Sequence, residues 1–258
     1  MLPLYDAIHN FEGIQHILAR HEQGATHEAE GYAKSSGKVG VVVVTSGPGA
    51  TNAVTGIADA YLDSVPLLVF TGQVGRLSIG KDAFQEADTV GITAPITKYN
   101  YQIRETADIP RIVTEAYYLA RTGRPGPVEI DLPKDVSTLE VTEINDPSLN
   151  LPHYHESEKA TDEQLQELLT ELSVSKKPVI IAGGGINYSG SVDIFRAFVE
   201  KYQIPVVSTL LGLGTLPISH ELQLGMAGMH GSYAANMALV EADYIINLGS
   251  RFDDRVRI

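Results

Sequence analysis

The sequence predicts an α/β protein with two domains, each built on a doubly wound parallel sheet. Apolar runs of strand length, such as residues 40–45, 65–71 and 178–182, alternate with helical patterns. These runs do not alternate between polar and apolar residues, which is typical of strands buried on both faces of a parallel sheet. Because the pattern stops over residues 138–160, we predict a first domain at 1–137, a linker at 138–160 and a second domain at 161–258.

The elements of the first domain follow in order along the chain. Apolar residues at helical spacing run from Met1 to Phe11, and a helix from Glu22 to Ser36 is predicted to end at Gly37. The other predicted elements are a strand at 15–19, a strand at 40–45, a helix at 50–63, a strand at 65–71, an edge strand at 98–103, a helix at 109–122 and a strand at 126–132 that closes the sheet.

The second domain repeats the alternation. Thr161, with Gln164 three residues later, predicts a capping box at the start of a helix. The predicted elements are a helix at 161–174, a strand at 178–182, a helix at 192–202, a strand at 205–208, a helix at 232–241 and a strand at 244–248. A sheet that ends there lacks its final strands, and the first domain begins inside a helical pattern, so we expect both domains to be incomplete.

Composition excludes several classes of function. The 258 residues carry a formal net charge of −13, which argues against a nucleic-acid partner or an anionic membrane surface. The absence of cysteine excludes thiolate nucleophiles and cysteine-based metal sites, and no histidine pair has zincin spacing, so no metal site is predicted. The apolar runs are too short for a bilayer, and no signal-peptide pattern follows Met1, so we expect a soluble, cytoplasmic protein.

Two motifs in the first domain suggest a ligand site. Glu22 precedes a predicted helix, where an acid is favoured by the helix dipole alone, so its ordinary interpretation is a helix-start residue. The turn Gly47-Pro48-Gly49 joins a strand to a helix that carries Asn52 near its start. A strand, a glycine turn and a helix N-terminus form a ligand-facing edge in many α/β proteins, although these glycines could equally serve the turn alone.

The glycines of the second domain are a less specific signal of a ligand site. The run at 183–185 does not have the spacing of a dinucleotide fingerprint, and residues 228–231 could approach a ligand or simply form a tight turn.

Seven motifs, in the same order along the chain, resemble those of the acetolactate synthase catalytic subunits. They are RHEQGA at 20–25, TSGPGATN at 45–52, TGQV at 71–74, DAFQE at 82–86, GRPGPVEIDLPKDV at 123–136, GMHG at 228–231 and GSRFDDR at 249–255. The resemblance covers nearly the whole chain. It implies a pyrimidine-binding domain for thiamine diphosphate, followed by a central FAD-binding domain.

The resemblance also implies roles for individual residues. The family's glutamate, here Glu22, hydrogen-bonds N1′ of the cofactor's aminopyrimidine, and a carboxyl group in a poorly hydrated site keeps a proton that it can donate there. Gln85 and Phe84 would lie near cofactor and substrate as catalytic residues. Gly47, Pro48 and Asn52 would shape the aminopyrimidine side. The FAD contacts implied are Arg111, Gly183, Gly184, Gly185, Thr209, Leu210, Gly228, Met229, His230 and Arg251.

The implied reaction is decarboxylation of pyruvate and condensation with pyruvate or 2-oxobutyrate. The products are 2-acetolactate and 2-aceto-2-hydroxybutyrate, in the first common step of branched-chain amino-acid biosynthesis. The FAD of this family is structural. Its members form homodimers or homotetramers and associate with a small regulatory subunit.

Departures from the family pattern suggest an internal fragment. The family has a helix, a strand and a glycine loop before the position of Met1, and a third domain that binds magnesium and the diphosphate through Asp-Gly and Asn-Asn. Neither dipeptide occurs here, and Lys81 stands where the family usually has Thr. We therefore expect this chain alone to be inactive.

Several alternatives stay open at this point. One is an inactive truncated product that retains nucleotide binding and dimerisation. Another is a pyruvate oxidase or a 2-oxo acid decarboxylase, which shares the glutamate and the glycine turn but not DAFQE together with RFDDR. Glyoxylate carboligase lacks the glutamate, so Glu22 counts against it.

Overall fold

The computed structural model describes residues 1–156, 159–251 and 253, and the chain divides into two compact units, Met1–Ser157 and Glu158–Ile258. Each unit contains one four-stranded sheet in which every pairing is parallel. Both sheets carry helices in the connections between strands, which confirms the predicted α/β class. Parts of the predicted linker (157–158) and of the predicted second domain (252 and 254–258) lie outside the described residues.

The first unit follows the predicted order with small shifts at element ends. Its helices and strands are α1 (Leu2–His9), α2 (Glu22–Ser36), β1 (Gly40–Val44), α3 (Pro48–Asp63), β2 (Leu67–Gln73), α4 (Thr89–Thr93), β3 (Tyr99–Gln102), α5 (Ile109–Arg121) and β4 (Pro127–Pro133). Short 3₁₀ turns lie at Arg76–Ser78, Ala94–Ile96 and Thr106–Asp108. Helix α3 starts two residues earlier than predicted because proline suits the first helical position, where no N–H is needed.

Spatial order in the first sheet is β1-β2-β4-β3. The predicted edge strand, β3, does lie at one edge. The expectation that the strand at 126–132 closes the sheet is wrong, because β4 lies between β2 and β3 and all seven of its residues are buried. Strand β1 forms the other edge of the described sheet, and Val41 within it is 56% exposed.

The prediction of a strand at 15–19 is also wrong, because the described structure has neither helix nor strand between α1 and α2. Its apolar side chains remain in solvent, and Ile17 and Leu18 are 65% and 84% exposed. A short apolar run becomes a strand only where a neighbouring strand pairs with it, and no described strand pairs with residues 15–19.

Two apolar clusters cover the two faces of the first sheet. Helices α2 and α3 pack on one face around Val42, Ile57 and Val69, and α5 packs on the other around Ile112 and Ile130. Small residues allow the close approach of α2 and α3: a Cβ on Gly56 would lie 2.6 Å from the Cβ of Thr26. This packing fixes the start of α2 beside the start of α3.

The second unit contains α6 (Asp162–Val174), β5 (Pro178–Ala182), α7 (Gly185–Tyr188), α8 (Val192–Tyr202), β6 (Val206–Ser208), β7 (Gln223–Met226), α9 (Tyr233–Glu241) and β8 (Tyr244–Leu248), with a 3₁₀ turn at Leu210–Gly212. Its strand order is β7-β6-β5-β8. The capping box of Thr161 and Gln164 is confirmed. Sequence reasoning missed β7, a short strand that contains Gly225 and pairs with an irregular register.

The described part of the predicted linker has no helix or strand. Leu151 and Tyr154 nevertheless pack on the core of the first unit, and the Tyr154 hydroxyl lies 3.0 Å from Oγ1 of Thr122. Among the helices of the described chain, none has the length and apolar character needed to cross a bilayer.

Candidate active site

The glycine turn after β1 brings the starts of α2 and α3 together. Gly47 has φ 58° and ψ −115°, a conformation open to glycine but not to residues with a Cβ. Pro48 then begins α3, and Asn52 lies in its second turn on the solvent side. The turn therefore places a buried glycine, an exposed proline and an exposed amide at the carboxyl end of β1.

Glu22 is the first residue of α2 and is half-buried. Its Oε2 accepts a hydrogen bond of 3.1 Å from Nδ2 of Asn52. A Cβ added to Gly49 would lie 2.7 Å from Cγ2 of Thr45 and 3.5 Å from Oε1 of Glu22, so glycine allows the turn to pack closely against Thr45 beside the carboxylate. The two motifs that the sequence singled out thus form one site, with the carboxylate held by the neighbouring helix.

Sequence reasoning missed Tyr5 of α1, which lies close enough to Glu22 to be influenced by its charge. Its hydroxyl donates to the carbonyl of Val43 at 2.9 Å. Burial raises the pKa of Tyr5, and the charge of Glu22 adds to this effect. No motif signal pointed to Tyr5, because α1 has the pattern of an ordinary amphipathic helix.

The loop at 82–86 packs against the glycine turn. A Cβ on Gly47 would lie 2.8 Å from the carbonyl oxygen of Gln85, so only glycine admits this contact. Asp82 and Gln85 both have left-handed backbones, with φ of 54° and 60°. The side chain of Phe84 is 88% exposed. The structure therefore brings the backbone of Gln85 to the turn and leaves Phe84 projecting from the loop.

Glu86 holds this loop together from within. Its carboxylate accepts hydrogen bonds from the backbone N–H of Gly80 and, at 2.9 Å, from that of Ala83. The bond from Gly80, followed by that from Ala83, lowers the pKa of Glu86. Lys81, the departure from the family pattern, is exposed.

A cluster of buried polar side chains joins the neighbouring strands β2 and β4. Glu129 and Asp131 of β4 are fully buried, and Oγ1 of Thr71 lies 2.5 Å from Oε1 of Glu129 and 3.1 Å from Oδ1 of Asp131. The single proton of that hydroxyl cannot serve two carboxylates. A protonated Glu129 that donates to Thr71 resolves this conflict. Burial accordingly raises the pKa of Glu129 to about 8, with the charge of Asp131 adding to the rise.

We expect Glu129 to make the stability of the first unit depend on pH. Folded Glu129, with a pKa of about 8, keeps a proton that the unfolded chain releases above its ordinary value of 4.5. The free energy of unfolding should therefore fall as the pH rises through this window, by about 1.4 kcal/mol per pH unit at the steepest. Urea unfolding near pH 5.5 and near pH 7.5 should show a smaller fall in the free energy of unfolding for Glu129→Gln than for the wild type.

The matched control is Glu140→Gln, which removes an exposed carboxylate and should leave the slope as in the wild type. Equal slopes for wild type and Glu129→Gln would show that Glu129 is ionised in the folded state.

In the second unit, the residues predicted to bind FAD lie mostly in loops at the carboxyl ends of parallel strands. Gly183–Gly185 follow β5, Thr209 and Leu210 follow β6, Gly228–His230 follow β7, and Arg251 lies three residues beyond β8. Ligands of open α/β sheets bind at such an edge. Leu210 and Met229 are 71% and 77% exposed there.

The triple glycine has a packing role. A Cβ on Gly183 would overlap the carbonyl oxygen of Gly249, and one on Gly185 would lie 2.7 Å from the Cα of Gly249. The N–H groups of Gly183 and Gly185 already donate to Leu248 and Gly249, at 2.8 and 3.0 Å. These two amides are therefore engaged by the protein's own backbone.

Two predicted arginines have carboxylate partners. Arg111 lies on α5 of the first unit and pairs with Asp108 at 3.2 Å and with Glu115 at 2.9 Å. Arg251 pairs with Asp253 at 3.2 Å. The guanidinium of Arg111 supports the start of its own helix, since Asp108 is the residue before α5.

One further group has metal-ligand chemistry. Nδ1 of His27 lies 3.1 Å from Glu30 and 3.7 Å from Asp59, and the three ligand atoms lie within 4.8 Å of one another. The ammonium of Lys34, however, lies 2.7 Å from both Glu30 and Asp63. Because a cation already neutralises the buried Glu30, an ion-pair network between α2 and α3 explains this group.

Two family models match the chain. Residues 1–92 match the thiamine pyrophosphate enzyme, N-terminal TPP binding domain, and residues 165–257 match the thiamine pyrophosphate enzyme, central domain. Glu22, the glycine turn and the 82–86 loop all lie in the first match. The chain belongs to the thiamine pyrophosphate enzyme family.

Within that family, the chain is similar along nearly its whole length to acetolactate synthase large subunits, which confirms the resemblance. The large subunit of Corynebacterium glutamicum is 50% identical over 99% of this chain and 41% of that protein. That of Buchnera aphidicola subsp. Schizaphis graminum is 51% identical, and the isozyme 3 large subunit of Escherichia coli is 48% identical, each over 99% of this chain and 45% of that protein. The chain therefore spans less than half the length of these relatives.

Proposed function

We propose that the gene product containing this chain is the catalytic subunit of an acetolactate synthase. It would decarboxylate pyruvate and condense the remaining two-carbon unit with pyruvate or 2-oxobutyrate. The relatives carry this name at about half identity over the whole chain. The observation that supports the chemistry best is the Glu22 carboxylate, held 3.1 Å from the Asn52 amide beside the glycine turn.

Thiamine diphosphate fits the edge formed by Glu22, Gly47 and Asn52. When bound, this cofactor supplies the carbanion chemistry of decarboxylation and acyl transfer. The edge beside Glu22 would take the flat aminopyrimidine, and Glu22 would hold a proton at one of its ring nitrogens. Pro48 would contact the aminopyrimidine on the same side. Gln85 and Phe84 would line the path by which the 2-oxo acid enters.

For FAD, the second unit offers the loops after its parallel strands. We propose that FAD contacts six residues in these loops, namely Thr209, Leu210, Gly228, Met229, His230 and Arg251. Gly183, Gly184 and Gly185 would act by allowing those loops to approach one another, and Arg111 is proposed as an FAD contact on the resemblance to the family alone. Magnesium and the diphosphate would be held by a part of the protein outside this chain.

Further proposals follow from the sequence and its resemblance to the family rather than from the geometry. The gene product would work in the cytoplasm as a homodimer or homotetramer. A small regulatory subunit would be its protein partner.

The test is an assay of the intact gene product with pyruvate, thiamine diphosphate, magnesium and FAD. We expect 2-acetolactate from pyruvate alone and 2-aceto-2-hydroxybutyrate when 2-oxobutyrate is added. Residues 1–258 on their own should form neither product. Acetaldehyde as the product would indicate a decarboxylase, and oxygen-dependent acetate or acetyl phosphate would indicate an oxidase. A mass of the cellular gene product near 27.8 kDa, the mass of this chain, would favour an inactive product.

A further inference from the structure

A single buried side chain, that of Gln73, ties the loop at 82–86 to the sheet. Gln73 is the last residue of β2 and is 6% exposed. Its Nε2 donates to the carbonyl of Ala87 at 2.8 Å and to Oδ2 of Asp131 at 3.2 Å. Its Oε1 accepts from the N–H of Val74 at 2.9 Å. Both polar atoms of the amide are thus engaged, and one of their partners is the residue that follows the loop.

Asp131 gives Gln73 a rigid anchor. It lies inside β4, and the parallel register places it opposite Thr71 of β2 and Gln102 of β3. Its carboxylate accepts hydrogen bonds from Thr71 at 3.1 Å, from Gln73 at 3.2 Å and from Gln102 at 3.0 Å. Because the donors come from two flanking strands, the carboxylate is fixed by the sheet itself.

The loop needs such an anchor because its backbone is unfavourable by itself. Asp82 and Gln85 adopt left-handed conformations that side-chain-bearing residues rarely hold. Such conformations persist only where the surroundings impose them. Glu86 constrains the loop from within, Gly47 makes room for it, and Gln73 fixes its far end at Ala87.

We propose that Gln73, anchored by Asp131, is a positioning residue of the candidate site. Its buried hydrogen bonds hold the carbonyl of Ala87, and through it keep Gln85 against Gly47. Gln73 does not need to touch a substrate. The effect on the loop stands on the contacts alone, whereas the effect on catalysis rests on the proposed function.

The test compares two variants of the intact gene product, Gln73→Met and Gln102→Met. Each removes one amide donor from Oδ2 of Asp131 and keeps the length of the side chain, but only Gln73 reaches the loop. In Gln73→Met, we expect amide hydrogen exchange in residues 78–88 to become faster by about tenfold or more. We also expect kcat/KM for pyruvate to fall by about tenfold to a hundredfold. In Gln102→Met, the loop should exchange as in the wild type and kcat/KM should stay within about twofold.

The outcomes distinguish a failure of the positioning role from a failure of the proposed function. If loop exchange in Gln73→Met equals that of the wild type, or if both variants change the loop alike, the proposal is wrong. If the loop loosens as expected but the wild type makes no acetohydroxy acid, the proposed function fails and the positioning role stands. Should Gln73→Met fail to fold, Gln73→Leu removes the same donor in an apolar side chain and decides the same comparison.

Discussion

Replacing Glu22 by Gln in the intact gene product is expected to lower the rate of acetolactate formation by about 10²-fold to 10⁴-fold. The glutamine has nearly the same shape, and its carbonyl oxygen can still accept from Asn52, so the junction of α2 and α3 should persist. If the proposed function holds, the glutamine would lack the exchangeable proton that Glu22 is proposed to hold at the cofactor's ring nitrogen. Steady-state kinetics with saturating thiamine diphosphate should show the loss in kcat.

Glu28→Gln provides the control, since it makes the same change of charge at an exposed position of the same helix. We expect its kcat to stay within about twofold of the wild type. A Glu22→Gln enzyme with near-wild-type turnover would refute the role that we assign to this carboxylate.

The second large effect is expected from Gly47→Ala. The backbone at Gly47, with φ 58° and ψ −115°, is open to glycine only, and the new Cβ would lie 2.8 Å from the carbonyl oxygen of Gln85. We expect a loss of about 1–3 kcal/mol in the free energy of unfolding from backbone strain. Displacement of the 82–86 loop should lower kcat/KM by about a hundredfold as well. Urea unfolding and steady-state kinetics measure the two effects separately.

A matched glycine is available on α2. Gly31 lies in the helix, has nothing within 4 Å of an added Cβ, and has no positive φ. Gly31→Ala should therefore stabilise the protein by about 0.5–1 kcal/mol and leave kinetics unchanged. If Gly47→Ala behaves in the same way, the contact between the turn and the loop does not matter for function.

Regular elements with strong local signals could be predicted from the sequence. The bounds of α2 follow from a glycine stop, the capping box of α6 from Thr161 with Gln164, and strand β8 from a run that is apolar except for Asn247. In each case the deciding interactions are local, so a short window of sequence contains them.

Features that depend on distant neighbours could not be predicted in this way. The segment at 15–19 has strand-like composition but no described partner, and β7 has weak composition but pairs with β6. The interior place of β4 is a matter of chain topology, which the order of elements alone does not determine.

The candidate site shows the same division. Glu22 and the glycine turn carried a signal, since a carboxylate and a glycine-rich helix start are unusual together. The hydrogen bond between Glu22 and Asn52 joins residues 30 positions apart, and that between Gln73 and Asp131 joins residues 58 apart. The role of Gln73 could not be predicted, because a glutamine at the end of a strand forms no recognisable motif with the residues near it in sequence.

Strand β1 has a consequence for handling the protein. Its five residues, Gly40–Val44, carry no charge and no proline, and four of them are valine. Because β1 pairs only with β2 among the described strands, its outer backbone groups can pair with a strand of another molecule, except for the carbonyl of Val43, which accepts from Tyr5. Uncharged valine-rich segments at an open edge are templates for aggregation, above all while a chain is folding. Residues 1–258 expressed alone should therefore be prone to aggregate through this edge.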